Sequence, residues 1–131
     1  NMSMRTIAVS LPLTRGTESE YEMIKDYATL TDQNLKSLIL TCPGERFDIE
    51  YGVGLRNYLF EMVDRSVYQR LKADILRQQR IYVPYITITD IKFTSQLDDP
   101  NLPQNYLNMQ IRYFNNVLRS TGATEVVLNL V

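Results

Sequence analysis

The chain has no histidine, one cysteine and almost no net charge, and each shortage closes off a class of function. Without histidine the usual zinc and copper ligand and the commonest general base are missing. A Ser–His or Cys–His mechanism is therefore impossible within these 131 residues. Cys42 has no partner for an internal disulfide, so nothing points to an oxidising compartment. Beside an apolar helix end, it reads as a small buried hydrophobe rather than a reactive thiol. No apolar run approaches the roughly 20 residues of a membrane span. The first residues lack the charged, apolar and small-residue regions of a signal peptide. A net charge of −1 and a pI near 5.4 argue against a general nucleic-acid coat, which needs an excess of lysine and arginine. Near-neutrality also favours association over high solubility.

What is present suits one domain with a real core. A chain of this length buries roughly 68–70% of its unfolded surface on folding. Residues 1–20 read as an N-terminal arm or edge strand. Ile7, Val9, Leu11 and Leu13 alternate there with small or polar residues, and Pro12 interrupts them. Residues 21–131 read as a single domain. Thr31 is a suitable N-cap for a first helix over about 31–42, whose Leu35, Leu38 and Ile39 fall on one face. Pro43 ends it. Leu55, Tyr58, Leu59 and Met62 repeat the helical spacing over about 54–63. Asp64 is a plausible cap for a third helix over about 65–80, with Val67, Leu71 and Ile75 as its apolar face.

The pattern then turns β-branched and aromatic, which predicts strands over about 82–94, 106–118 and 124–131. Ile86 and Ile88 fall on one face and Ile91 and Phe93 on the other, a slip that a bulge near Thr89 or Asp90 would reconcile. Leu107, Met109, Ile111 and Tyr113 alternate with Asn108, Gln110 and Arg112, as in a half-buried antiparallel strand. Ser120 to Ala123 reads as the turn before a terminal strand that is apolar on both faces. The fold class is α+β, three helices followed by a small antiparallel sheet of two to four strands.

Between the first two helices stands NLKSLILTCPGERFDIEYGVGLRNYLFE, Asn34 to Glu61. Pro43, Gly44, Glu45 and Arg46 make a turn, and Gly52 and Gly54 allow positive φ or close backbone approach. Asn34-Leu35-Lys36, Leu38-Ile39-Leu40-Thr41, Pro43-Gly44-Glu45-Arg46, Tyr51-Gly52-Val53-Gly54-Leu55 and Leu59-Phe60-Glu61 follow one another at set spacing. In this wording the chain resembles the baseplate wedge, or sheath-initiator, family of contractile-tailed phages, also called lysozyme-like wedge proteins. A type VI secretion baseplate component is related to it. The resemblance implies a structural protein of the virion tail, assembled in the bacterial host cytoplasm. It also implies several symmetric copies around the tail tube, contacting other wedge proteins and the contractile sheath. The composition leads us to expect no catalytic residue, cofactor, metal, nucleic acid or membrane. The family's Glu-Pro-Arg docking motif stands here as Val83-Pro84-Tyr85, with the proline kept and both charges lost.

Three functions compete. The first is a sheath initiator, whose small sheet offers open edges for strand sharing. Its candidate partner interface is Val83, Pro84, Tyr85 and the terminal Val126, Val127, Leu128, Leu130 and Val131. The second is a muramidase acting through a pair among Glu45, Glu50, Glu61 and Asp64, which needs two carboxylates across a cleft, one with a raised pKa. The third is a nucleic-acid module using Arg65, Arg70, Lys72, Arg77 and Arg80 of the third helix. Loop carboxylates are more simply solvated or turn-fixing, and a basic helix face is more simply a solvated one.

Overall fold

The computed structural model describes residues 18–45, 48–62 and 64–130. Most of the expected N-terminal arm, and also Arg46 and Val131, lie outside the described residues. Residues 18–20, given to that arm, instead open the first helix.

Helix α1 runs from Glu18 to Leu40, far longer than the expected 31–42. No glycine or proline interrupts this stretch, and Glu18 and Glu20 lie at its dipole-favoured start. Thr31 is accordingly not an N-cap. It is fully buried mid-helix, and its hydroxyl donates back to the Tyr27 carbonyl at 3.0 Å. Leu35, Leu38 and Ile39 are fully buried on the core face. Helix α2, Leu55–Phe60, is short, and α3 runs from Ser66 to Tyr82. Asp64 accepts from the Ser66 N–H at 2.8 Å and from the Ser66 hydroxyl, so its carboxylate holds the start of α3. Val67, Tyr68, Leu71, Ile75, Gln78 and Gln79 are the buried side of that helix.

Three ten-residue strands follow, β1 (Ile86–Ser95), β2 (Tyr106–Asn115) and β3 (Ser120–Asn129), in the antiparallel order β1-β2-β3. The α+β class, three helices and then an antiparallel sheet, is the observed one. β1 starts later than expected because Val83 to Tyr85 form the corner that leaves α3. There Gln79 Nε2 donates to the Val83 and Ile86 carbonyls, each at 2.9 Å. The register slips between Ile88 and Asp90, so Thr89 is the bulge. Ile86, Ile88, Ile91 and Phe93 thereby share the inner face. β2 stops at Asn115 because the Asn115 side chain accepts from the N–H groups of Val117 and Leu118, at 3.0 and 3.1 Å. The turn is therefore 116–119, closed by Arg119 at φ 58°, and Ser120 to Ala123 are strand rather than turn.

Leu107, Met109, Ile111 and Tyr113 of β2 are buried beneath the helices, while Gln110 and Arg112 face out. One apolar cluster joins them to Leu35, Leu38 and Ile39, to Leu55 and Leu59, to Leu71 and Ile75, and to Val126.

Candidate functional site

Two places carry the sequence motifs: the loop between α1 and α2, and the sheet with the corner that feeds it. In the loop, Pro43 and Gly44 reverse the chain. The Glu45 carboxylate accepts from the Cys42 N–H at 2.9 Å, while the Glu45 N–H donates to the Cys42 carbonyl at 3.1 Å. Cys42 itself is half-buried rather than a core residue. Two carbonyls at the end of α1 find partners farther along: Val53 N–H donates to Leu38 and Gly54 N–H to Thr41, each at 2.9 Å. Helix ends leave such carbonyls unpaired, so the loop completes the helix. Lying this close requires glycine. Gly52 has φ 116°, and a Cβ on it would lie 2.2 Å from the Thr41 carbonyl oxygen. Gly54, at φ 70°, opens α2 in the left-handed conformation.

Gln78 of α3, a residue the sequence reading passed over, fixes the far side of the loop. Buried at 1% exposure, it accepts from the Gly52 N–H at 2.8 Å and donates to the Glu50 carbonyl at 2.9 Å. The available signal is its place three residues after Ile75 on the apolar stripe of α3. Tyr82 adds a bond from its hydroxyl to Asp48 at 2.7 Å, and its ring meets Tyr51 edge-on at 5.0 Å.

The corner is built inward. Val83 is 3% exposed and belongs to the core, so its side chain is withdrawn from any partner surface. Tyr85 is half-buried, with its hydroxyl accepting from Asn34 Nδ2 at 3.2 Å and its ring against Tyr27. Only Pro84 of the three is exposed. In β3, Val126 is 2% exposed and Leu128 and Leu130 pack on the core, whereas Val127 faces outward at 50% exposure. The Leu130 N–H donates to the Asn105 carbonyl at 2.9 Å, which sets the alternation of the β2–β3 ladder. By that alternation Thr124, Val126 and Leu128 bond to β2, and the backbone groups of Glu125 and Val127 point to the open side. The outer face of the sheet is polar, with Asp90, Lys92, Gln110 and Arg112 lining one shallow depression.

Three of the four acids considered for catalysis do separate structural jobs. Glu45 holds its turn, Asp64 holds the start of α3 from the position before its N-cap Arg65, Glu61 pairs with Arg70 at 3.0 Å on the surface, and Glu50 is exposed. Asp48 and Asp64 are held below the usual carboxylate range, Asp48 mainly by the Tyr82 hydroxyl and Asp64 by Ser66. Burial pushes Asp98 upward, but bonds from Tyr68, Ser95 and Arg65 outweigh it and leave it lowered. A proton-donating carboxyl needs the opposite displacement. On the basic helix, Arg65 pairs with Asp98 at 2.6 Å and Arg77 with Asp74 at 2.6 Å, so with Arg70 three of the five cations are matched. Among the described residues no helix is long and apolar enough to cross a membrane.

A helix layer on one face of a three-stranded antiparallel sheet, with the other face polar, is the class of fold. No family model matches the sequence, and no curated protein matches it. Among solved structures the chain is similar to a crystal structure at 1.44 Å of a Geobacter sulfurreducens protein provisionally named a tail lysozyme. The TM-score is 0.63 at 12% identity, covering 92% of this chain and 97% of the other. At that identity the likeness is one of fold.

Proposed function

We propose that this chain is a structural baseplate wedge protein of a contractile phage tail, and that its small sheet starts sheath polymerisation by sharing strands with the first sheath ring. The observation that carries this reading is an open-edged three-stranded sheet on a fold shared with a protein provisionally named a tail lysozyme. Only β2 is paired on both sides among the described residues. β3 presents Val127 and the outward backbone groups beside it. An unpaired edge templates a strand from another chain through main-chain bonds, which tolerate differences in side chain. A sheet of this kind therefore suits the start of a polymer built from a different protein. Placement in the virion tail, several copies around the tube, and contacts with other wedge proteins belong to the same proposal.

The protein acts without catalysis in this reading, whatever the lysozyme in its structural neighbour's name. It has no histidine, and of its candidate acids Glu45 holds a turn, Asp64 holds the start of α3 and Glu61 forms a surface ion pair, while Glu50 is exposed. Purified protein should leave peptidoglycan intact in a zymogram. Cleavage abolished by Glu45→Gln or Glu61→Gln would establish the enzyme instead.

The test of strand sharing is Val127→Pro. Removing all of 124–131 would also take Val126 from the core, whereas proline at 127 deletes one N–H that points away from β2. Baseplates carrying this variant should fail to nucleate sheath in electron micrographs. Sheaths of normal length and number on them would overturn the proposal.

A further inference from the structure

The two edges of the sheet are not equal, and the difference lies in the backbone groups that point away from β2. At the start of β1 the Asn116 N–H donates to the carbonyl of Tyr85, opposite it in register, at 2.9 Å. Antiparallel pairs alternate, so the groups of Thr87 also turn to β2, while those of Ile86 and Ile88 turn outward. Beyond the bulge Asp90, Lys92 and Thr94 turn to β2. Their partners Arg112, Gln110 and Asn108 alternate with the β2 residues that bond to β3. Ile91, Phe93 and Ser95 therefore turn outward.

Much of this outward row is already taken. The Ile86 carbonyl accepts from Gln79 Nε2 at 2.9 Å. At the other end the Ser95 N–H donates to the Asp98 carboxylate at 3.2 Å. The Ser95 carbonyl accepts from the Asp98 and Asp99 N–H groups at 2.9 and 3.0 Å. Between these closures the bulge sets Ile88 and Ile91 three positions apart rather than two. A regular strand that matches Ile86 and Ile88 is thus out of step with Ile91 and Phe93. Asp90 and Lys92, both exposed, add charge to the same edge.

β3 has none of these closures. It pairs with β2 from Ser120 to Asn129 without a shift. Thr121, Ala123, Glu125, Val127 and Asn129 turn outward in unbroken alternation, and no bond among the described residues takes their backbone groups. Between them Val126, Leu128 and Leu130 face the core, Leu128 and Leu130 only half-buried. A strand laid beside β3 would carry apolar residues next to that pair and polar ones on its other face.

We propose that β1 is a closed edge and that each copy accepts one strand, on β3 alone, from an extended segment of the sheath protein with apolar and polar residues in alternation. This rests on the strand-sharing reading above and adds which edge is used and how many strands are taken. The test is amide hydrogen exchange of this chain in baseplates with and without an assembled sheath, resolved by residue in segments 86–95 and 120–129. With sheath present, the amides of Ala123, Glu125 and Val127 should exchange about tenfold more slowly, while those of Ile88, Ile91 and Phe93 keep their rates. Slowing at Ile88, Ile91 and Phe93, alone or together with β3, would overturn the closed edge and leave strand sharing standing. Unchanged rates on both edges would overturn strand sharing itself, and this inference with it.

Discussion

At Gly52 a side chain of any size would occupy the space of the Thr41 carbonyl, and the neighbour in question is helix-end backbone that cannot swing aside. Gly44 also has positive φ, at 95°, but a Cβ there would meet nothing within 4 Å. Gly44→Ala should therefore cost about 1 kcal/mol from conformation alone, and Gly52→Ala distinctly more, by chemical denaturation. Equal losses would mean that the close approach to Thr41 is not rigid. Gln78 is the polar counterpart. Gln78→Ala leaves the Gly52 N–H and the Glu50 carbonyl without their partner, which should lower stability by about 1–3 kcal/mol. Tyr58 gives a pH signature. Burial pushes its phenol up to about 12, helped by the bond to Asp74 at 2.8 Å. A folded pKa above the unfolded one gives stability that is complete below pH 10 and is lost as pH rises toward 12. Tyr58→Phe should flatten that part of the alkaline denaturation curve.

At the scale of elements, the attachment of α3 to the loop after β1 rests on a small polar cluster. The Tyr68 hydroxyl lies 2.5 Å from the Ser95 hydroxyl and donates to Asp98 at 2.8 Å, while Arg65 reaches Asp98 at 2.6 Å. Asp98 has a folded pKa below its ordinary 3.8, so its contribution is present above that value and lost as pH falls through the lowered one. Asp98→Asn should remove a component of acid denaturation below about pH 4. An acid limb identical in wild type and variant would assign that transition to other carboxylates. The bulge at Thr89 does comparable work in β1. Its hydroxyl donates to the Arg112 carbonyl at 3.2 Å, and the shift it makes keeps four apolar side chains on the inner face.

For the molecule as a whole, α1 is tied to the sheet at two points: Tyr113 donates to Asp32, and Asn115 Nδ2 donates to the Thr31 hydroxyl at 3.4 Å. The Tyr113 ring lies over Gly122, where a Cβ would come within 2.6–2.8 Å of it. Gly122→Val should push this ring off β3 and loosen α1, read as faster amide exchange in residues 31–39, with overpacking costing about 1–3 kcal/mol. Val127→Pro, in contrast, should leave the chain folded with the β2–β3 ladder in place, because the N–H it deletes points away from β2. Stability preserved with sheath nucleation lost would separate the sheet edge as a working surface from the sheet as scaffold.

The sequence by itself determined the α+β class, the apolar faces of α3 and β2, the slip in β1 and the glycines at which two helices are joined. Those features are local: helical and alternating periods, β-branching and the absence of a Cβ act within a few residues. The length of α1 was not legible in that way, because a threonine suited to capping is also tolerated mid-helix when its hydroxyl can return to the preceding turn. Nor was the end of β2, since the Asn115 side chain closes the turn in place of a glycine. Which interface candidates reach the surface was decided by tertiary packing alone. Val83 and Val126 have the same apolar character as Val127, yet only Val127 faces out, because the corner after α3 and the register with β2 turn the other two into the core. The sequence likewise names Gln78 only as a polar residue on an apolar stripe. Its two bonds to a loop 26 and 28 residues earlier exist only once α3 is packed against that loop.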